Sequence, residues 1–250
     1  MFYKASPFAG SQQGCFVMKI GGLIKSSMID YPGKISCVVF TCGCNFICPF
    51  CHNAALIPMV ADDEATDFHP EAVAAFLEKR KGLLEGVVIT GGEPTLQKDL
   101  VSFCRTVKEL GYPIKLDTNG SRPAVLKVLL DEGLVDYLAM DIKASPSDYF
   151  PLIAKDTNPE LIVESIQIIM GSTISYEFRT TCAKPFVNGD MIQTVSELIS
   201  GAKRFALQNF NPDNILNPGF FARQGAVFQE QEINAFADIA KKYVQSCIIR

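Results

Sequence analysis

Three thiols, Cys44, Cys48 and Cys51, stand at the spacing C-x3-C-x2-C in the stretch Cys44-Asn-Phe-Ile-Cys48-Pro-Phe-Cys51. Cysteine sulfur binds iron and zinc as the thiolate. Three such ligands can hold three irons of a [4Fe-4S] cube and leave the fourth open to a substrate or cofactor. Sites closed by four protein ligands suit structure or electron transfer instead. Cys42 lies close by, so Cys42, Cys44, Cys48 and Cys51 also allow a four-cysteine zinc site. Structural zinc sites usually pair two C-x2–4-C knuckles across a longer segment. Here the four thiols fall within ten residues and no second knuckle follows. On that spacing Cys42 reads as a small, partly buried residue at a strand end. Cys15, Cys37, Cys104, Cys182 and Cys247 are scattered singly.

Four more groups carry chemistry-bearing side chains at the ends of apolar runs: Gly91-Gly92-Glu93-Pro94, Asp117-Thr118-Asn119-Gly120, Asp141-Ile142-Lys143, and Arg179. Glycines without a Cβ allow close backbone approach to a ligand, although Gly and Pro also mark ordinary strand-to-helix turns. Asp117 and Asn119 suit a helix cap, and Lys143 suits a solvated strand end. Arg179 offers a planar fork for a carboxylate, or one half of a structural ion pair. His69, between Phe68 and Pro70 at a helix start, reads as a surface residue.

The elements that must position these groups alternate in type. β-rich runs at 35–41, 86–90, 113–117, 137–142, 176–181 and 205–210 are followed by helical patterns at 70–81, 98–110, 123–131, 159–170, 190–202 and 229–244. Such alternation implies an α/β fold with a parallel sheet and right-handed crossovers. Six units rather than eight imply a partial (β/α)6 barrel, open along one side. Residues 19–34 read as an N-terminal β-hairpin, with turn chemistry at Asp30-Tyr31-Pro32-Gly33. Each motif then falls at the C-terminal end of a strand, where the loops of a barrel build its active face. The Asn- and Pro-rich loop at 211–219 follows the sixth strand on that same face.

A length of 250 residues fits one large α/β domain, taken as 18–250 with a mobile tail over 1–17. With 48% hydrophobic and 20% charged residues it can build a substantial core. The net charge of −4 gives no basic footprint for nucleic acid. Nine cysteines without a disulfide framework point to a reducing, cytoplasmic setting. The N-terminal stretch lacks the pattern of a secretory signal, and no apolar run approaches a membrane span.

The cysteine spacing, Phe50 before its last thiol, His52-Asn53 after it, and GGEP together resemble the radical S-adenosylmethionine (radical SAM) superfamily. IDYPGK and CHN point to its glycyl-radical-activating branch. From residue 19 to 242 the chain resembles the anaerobic ribonucleoside-triphosphate reductase activating proteins in their single-cluster form, through GLIKSSMIDYPGK, VVFTCGCNFICPFCHN, ITGGEPTLQ, KLDTNG, YLAMDIK, YEFRTT and ALQNFNP. The resemblance implies a radical SAM barrel and a [4Fe-4S] cluster on Cys44, Cys48 and Cys51. It implies SAM at the open iron, with Gly91, Gly92 and Glu93 by its amino group and Phe50, His52 and Asn53 by its adenine. Asn119, Asp141, Lys143 and Arg179 would complete the SAM site. Asn211 stands where the formate-lyase activator carries a histidine. Asp117, Thr118 and Asp141, with the Ala139 carbonyl, would hold a monovalent cation beside the SAM carboxylate.

The implied reaction is reductive cleavage of SAM, whose 5′-deoxyadenosyl radical removes hydrogen from a glycine of a partner enzyme. The implied partners are a glycyl radical enzyme, here anaerobic ribonucleotide reductase, and a flavodoxin- or ferredoxin-type electron donor. Activation of a formate-lyase-like enzyme and modification of a small molecule are rival activities of the same superfamily. A non-catalytic iron–sulfur or zinc protein is the reading from another class. If GGEP faces SAM, Gly92→Val should weaken SAM binding and leave the cluster intact.

Overall fold

The computed structural model describes residues 18–58, 68–149, 153–154, 158–222 and 225–250. The tail expected over 1–17 lies outside them. The first strand, β1 (Ile20–Tyr31), turns at Pro32-Gly33 and runs back antiparallel to β2 (Lys34–Thr41). Gly33 takes φ +74°, a left-handed conformation that only glycine adopts freely. The hairpin expected over 19–34 is therefore one long strand folded onto the first barrel strand, with the predicted turn joining the two.

Six further strands follow: β3 (Gly86–Gly91), β4 (Ile114–Thr118), β5 (Tyr137–Asp141), β6 (Ser175–Cys182), β7 (Phe205–Asn209) and β8 (Cys247–Ile249). They lie in the sheet in chain order, and every pairing from β2 to β8 is parallel. The crossovers carry α1 (Pro70–Glu78), α2 (Leu100–Glu109), α3 (Pro123–Asp131), α4 (Pro159–Met170), α5 (Gly189–Leu198), α6 (Pro218–Phe221) and α7 (Glu230–Ala240). This is the α/β partial barrel read from the alternation, with the short β8 added at its far edge. No helix among the described residues is long and apolar enough to cross a membrane.

Val-rich runs such as Val87-Val88-Ile89 form strands buried on both faces, as parallel sheets require. Successive side chains point to opposite sides. Val39, Ile89, Leu116, Phe178 and Leu207 join the main core with the helices. Val38, Val88 and Ala139 pack with Tyr31 and Tyr137 in a separate inner cluster. The inner face also buries charge, since Lys115 and Glu177 are both shielded there.

Arg250 follows β8 and donates two hydrogen bonds to the Glu177 carboxylate, at 2.8 and 2.7 Å. Its backbone is fixed against β7, with Arg250 N–H bonded to the Leu207 carbonyl at 2.9 Å. Arg250→Ala removes the cation from a carboxylate that is 1% exposed. Breaking a fully buried pair costs roughly 3–5 kcal/mol, but the Arg250 side chain is 39% exposed and partly screened by water. A loss of about 2 kcal/mol in urea denaturation is the expected outcome; an unchanged midpoint would show that water alone satisfies Glu177.

Candidate functional site

The parallel register sets Thr41 beside Gly91, so the chain leaving β2 and the chain leaving β3 run side by side. Gly92 N–H donates to the Thr41 carbonyl at 2.8 Å, and Glu93 N–H to the Gly43 carbonyl at 2.7 Å. The cysteine loop folds back on itself through Gly43 N–H to Leu56 and Cys44 N–H to Ile57. Gly91 has φ +119°, and a Cβ there would lie 2.5 Å from the Thr41 carbonyl oxygen. A Cβ on Gly92 would overlap the Gly43 carbonyl, 2.7 Å from its carbon. The two glycines thus admit the backbone of the cysteine loop itself. This corrects the expected consequence of Gly92→Val: a side chain there displaces the loop that carries the thiols.

Cys44, Cys48 and Cys51 line one cavity of about 370 Å³ at the C-terminal ends of the strands. That volume falls in the range of roughly 300–1,000 Å³ common for small-molecule and cofactor sites. Phe46 N–H points to Cys44 Sγ at 3.4 Å, and Asn119 Nδ2 lies 4.0 Å from the same sulfur. Cys42 does not line the cavity; its thiol packs against β1, where a Cβ on Gly21 would come within 2.6 Å of its sulfur. Among the described residues no three His, Cys, Asp or Glu side chains converge as a single metal ion would need. With Cys42 outside the cavity, the donor set facing it is the three thiols of the C-x3-C-x2-C spacing, which leaves one iron of a cube without a protein ligand. Burial pushes the Cys44 thiol up to about 11 and Cys48 to about 12, so iron must displace protons to bind there.

Glu93 is fully buried and has no cation within ion-pairing distance among the described residues. Its Oε1 accepts from Thr95 N–H at 3.1 Å, Thr95 Oγ1 at 2.5 Å and Thr118 Oγ1 at 2.8 Å. Its Oε2 accepts from Asn119 N–H at 2.7 Å. Burial raises the carboxyl above the usual range, and those hydrogen bonds only partly offset it. Glu93, expected from sequence as a cofactor contact, borders the cavity and in this geometry also braces the ends of β3 and β4. Asn119 then passes the link to the cysteine loop, its Nδ2 donating to Asn45 Oδ1 at 3.0 Å. Thr95 and Asn45 were not singled out from sequence, though both lie inside motifs that were.

The charged residues form a chain across β4, β5 and β6. Lys115 Nζ is bonded to Asp117 Oδ1, and Arg179 Nη1 reaches Asp117 Oδ2 at 3.1 Å. Arg179 Nε meets Asp141 Oδ1 at 2.6 Å, and Lys143 Nζ meets Asp141 Oδ2 at 3.2 Å. Burial alone would raise the Asp141 carboxyl, but Arg179 and then Lys143 outweigh it and hold it well below the usual range. The carboxylates of Asp117 and Asp141, two of the groups expected around a monovalent cation, are thus bonded to protein cations in this geometry. Thr118 gives its hydroxyl to Glu93, and Ala139 sits in the β5 ladder between Asp117 and Glu177.

Phe50 is buried, its ring 5.1 Å from Phe186, and it borders the cavity. His52 and Asn53 border it as well. His52 Nε2 is 2.9 Å from the Asn211 carbonyl, and Leu216 N–H donates to the Cys51 carbonyl at 2.9 Å. Asn211 itself lies outside the cavity lining, with Oδ1 accepting from Asp213 N–H at 2.9 Å. Gln208 and Asn209 line the cavity in its stead, because β7 ends at Asn209. For Gln208 the signal is the period-two alternation, which puts it on the same face as Ala206; Asn209 lines the cavity as the last residue of the strand. His69 is exposed, as read from sequence.

Residues 38–198 match the family described as the radical SAM superfamily. The chain belongs to the radical SAM superfamily. Over 241 residues it is 31% identical to a Methanocaldococcus jannaschii protein named "Putative glycyl-radical enzyme activating enzyme", covering 92% of this chain and 95% of that one. A second protein of that organism with the same description is 28% identical, over 75% of this chain and 71% of its own length. In fold, the radical SAM chain is similar to Streptococcus suis SuiB bound to S-adenosylmethionine, with a TM-score of 0.58 at 12% identity. That match covers 83% of this chain and 45% of SuiB.

Two substitutions separate the roles of loop and ligand. Gly92→Ala should lower iron incorporation on anaerobic reconstitution, because its Cβ meets the Gly43 backbone. Cys42→Ser should retain iron, since that thiol faces β1. Full iron content in Gly92→Ala would show that the loop yields and that the glycine serves something else.

Proposed function

We propose that this chain is a glycyl-radical-enzyme activase, and that its partner is anaerobic ribonucleoside-triphosphate reductase. The observation that carries the reading is the meeting of Cys44, Cys48 and Cys51 with Lys143 and Arg179 around one cavity at the strand ends. The M. jannaschii relative, similar over nearly the whole length of both chains, supports an activase. IDYPGK, CHN and the other motifs resembling the reductase activators support the choice of partner. The reaction belongs in an anaerobic cytoplasm, with a flavodoxin- or ferredoxin-type protein as electron donor.

Cys44, Cys48 and Cys51 would hold the [4Fe-4S] cluster. When bound, the cluster and SAM supply a one-electron cleavage whose organic radical removes hydrogen from a glycine. The protein binds, orients and shields. Arg179 and Lys143 present a guanidinium and an ammonium to the SAM carboxylate. Phe50, His52 and Asn53 would border the adenine, and Asn119 and the Gly91-Gly92 backbone line the same cavity, with Asn53 Nδ2 donating to the Gly91 carbonyl at 3.3 Å. The rings of Phe50, Phe186 and Phe221 keep water from the cysteine loop, with Phe186 and Phe221 centred 6.3 Å apart. No side chain is needed as a general base.

The test is anaerobic incubation of reconstituted protein with reductant, SAM and the reductase, read by electron paramagnetic resonance. A glycyl-radical signal should form on the reductase with the wild-type chain and not with Cys48→Ser. Methionine release without a radical on the reductase, but with one on a formate-lyase-type enzyme, would keep the activase and remove the partner.

A further inference from the structure

Lys115 takes no part in the reading so far, and its setting is unusual for a lysine. The side chain is 3% exposed, on the inner face of the barrel. Lys115 and Asp117 are two apart in β4 and so share that face. Each carboxylate oxygen of the two aspartates is engaged: Asp117 by Lys115 and Arg179, Asp141 by Arg179 and Lys143. Thr118 is turned to Glu93. An alkali ion bound between Asp117 and Asp141 would share oxygens already bonded to protein cations and add a fourth positive charge against two negative ones, which the buried cluster disfavours. Three positive groups against two negative ones already leave the site attractive to an anion.

We propose that the Lys115 ammonium replaces the monovalent cation in this chain. It neutralises Asp117, so that the SAM carboxylate binds beside Arg179 and Lys143 without an alkali ion. Lys115 is a positioning residue, acting through Asp117 and Arg179. The proposal rests on the reading that SAM occupies this cavity, and it reverses the ion dependence implied by the resemblance to the formate-lyase activator.

The experiment is titration calorimetry of SAM on the reconstituted protein in sodium, potassium or tetramethylammonium chloride at one ionic strength. General screening is equal in the three salts, so only a specific ion site distinguishes them. Wild-type affinities should agree within about twofold. Lys115→Met should bind SAM about tenfold more weakly in tetramethylammonium and regain affinity in sodium or potassium. Lys115→Arg should stay indifferent to the salt. A wild-type affinity that depends on ion identity overturns the proposal while leaving the SAM site in place, as does a Lys115→Met protein indifferent to all three. If Lys115→Met does not fold, the wild-type series decides alone. No SAM binding in any salt by a protein with full iron content overturns the reading beneath it.

Discussion

Two backbones in contact, with no side chain between them, hold this site together. Gly92 lies against Gly43, and Gly91 against Thr41, because β2 and β3 are parallel and in register to their last residues. A methyl group at either glycine would separate the strand ends. Hydrogen bonds from Gly92 and Glu93 to Thr41 and Gly43 then fix the root of the cysteine loop. Its other side is held by Leu216 and Asn217, which donate to Cys51 and Pro49. The thiols thus hang from a loop anchored at both ends, which is the pre-organisation a cluster site needs.

Carboxylates buried around this loop are stabilised in two different ways. Glu93 relies on neutral donors, and their strength in a dry environment keeps the ends of β3 and β4 in one arrangement. Asp117 and Asp141 rely on full positive charges, and they fix Arg179 and Lys143 where an anionic ligand can meet them. Orientation of the guanidinium is set by two carboxylates at once, on neighbouring strands. Loss of either aspartate would leave an unpaired buried cation, so the chain from Lys115 to Lys143 behaves as one unit.

Much of this was legible in the sequence, because alternation of β-rich and helical runs fixes a parallel sheet and places each motif at a strand end. The cysteine spacing separates Cys42 from its neighbours, and the structure turns that thiol toward Gly21. What escaped depends on long-range contact. β8 is three residues long, too short for a periodic signal, and is held by β7 and the Arg250–Glu177 pair. Asn211 was placed by analogy, whereas the end of β7 at Asn209 decides which side chains face inward. Gly91, Gly92 and Glu93 border the cavity as their strand-end position implies, but sequence cannot say that Gly92 also lies against the Gly43 backbone. Lys115 was passed over although KLD, read with a period of two, puts an ammonium beside the aspartate.

A cluster held by Cys44, Cys48 and Cys51 would have one iron open to SAM. Electron paramagnetic resonance of the reduced, reconstituted protein with and without SAM tests it most directly. A [4Fe-4S]+ signal should appear that changes shape when SAM is added, and it should be absent in Cys51→Ser. A signal unaffected by saturating SAM, or a protein that takes up one zinc and no iron, would contradict it.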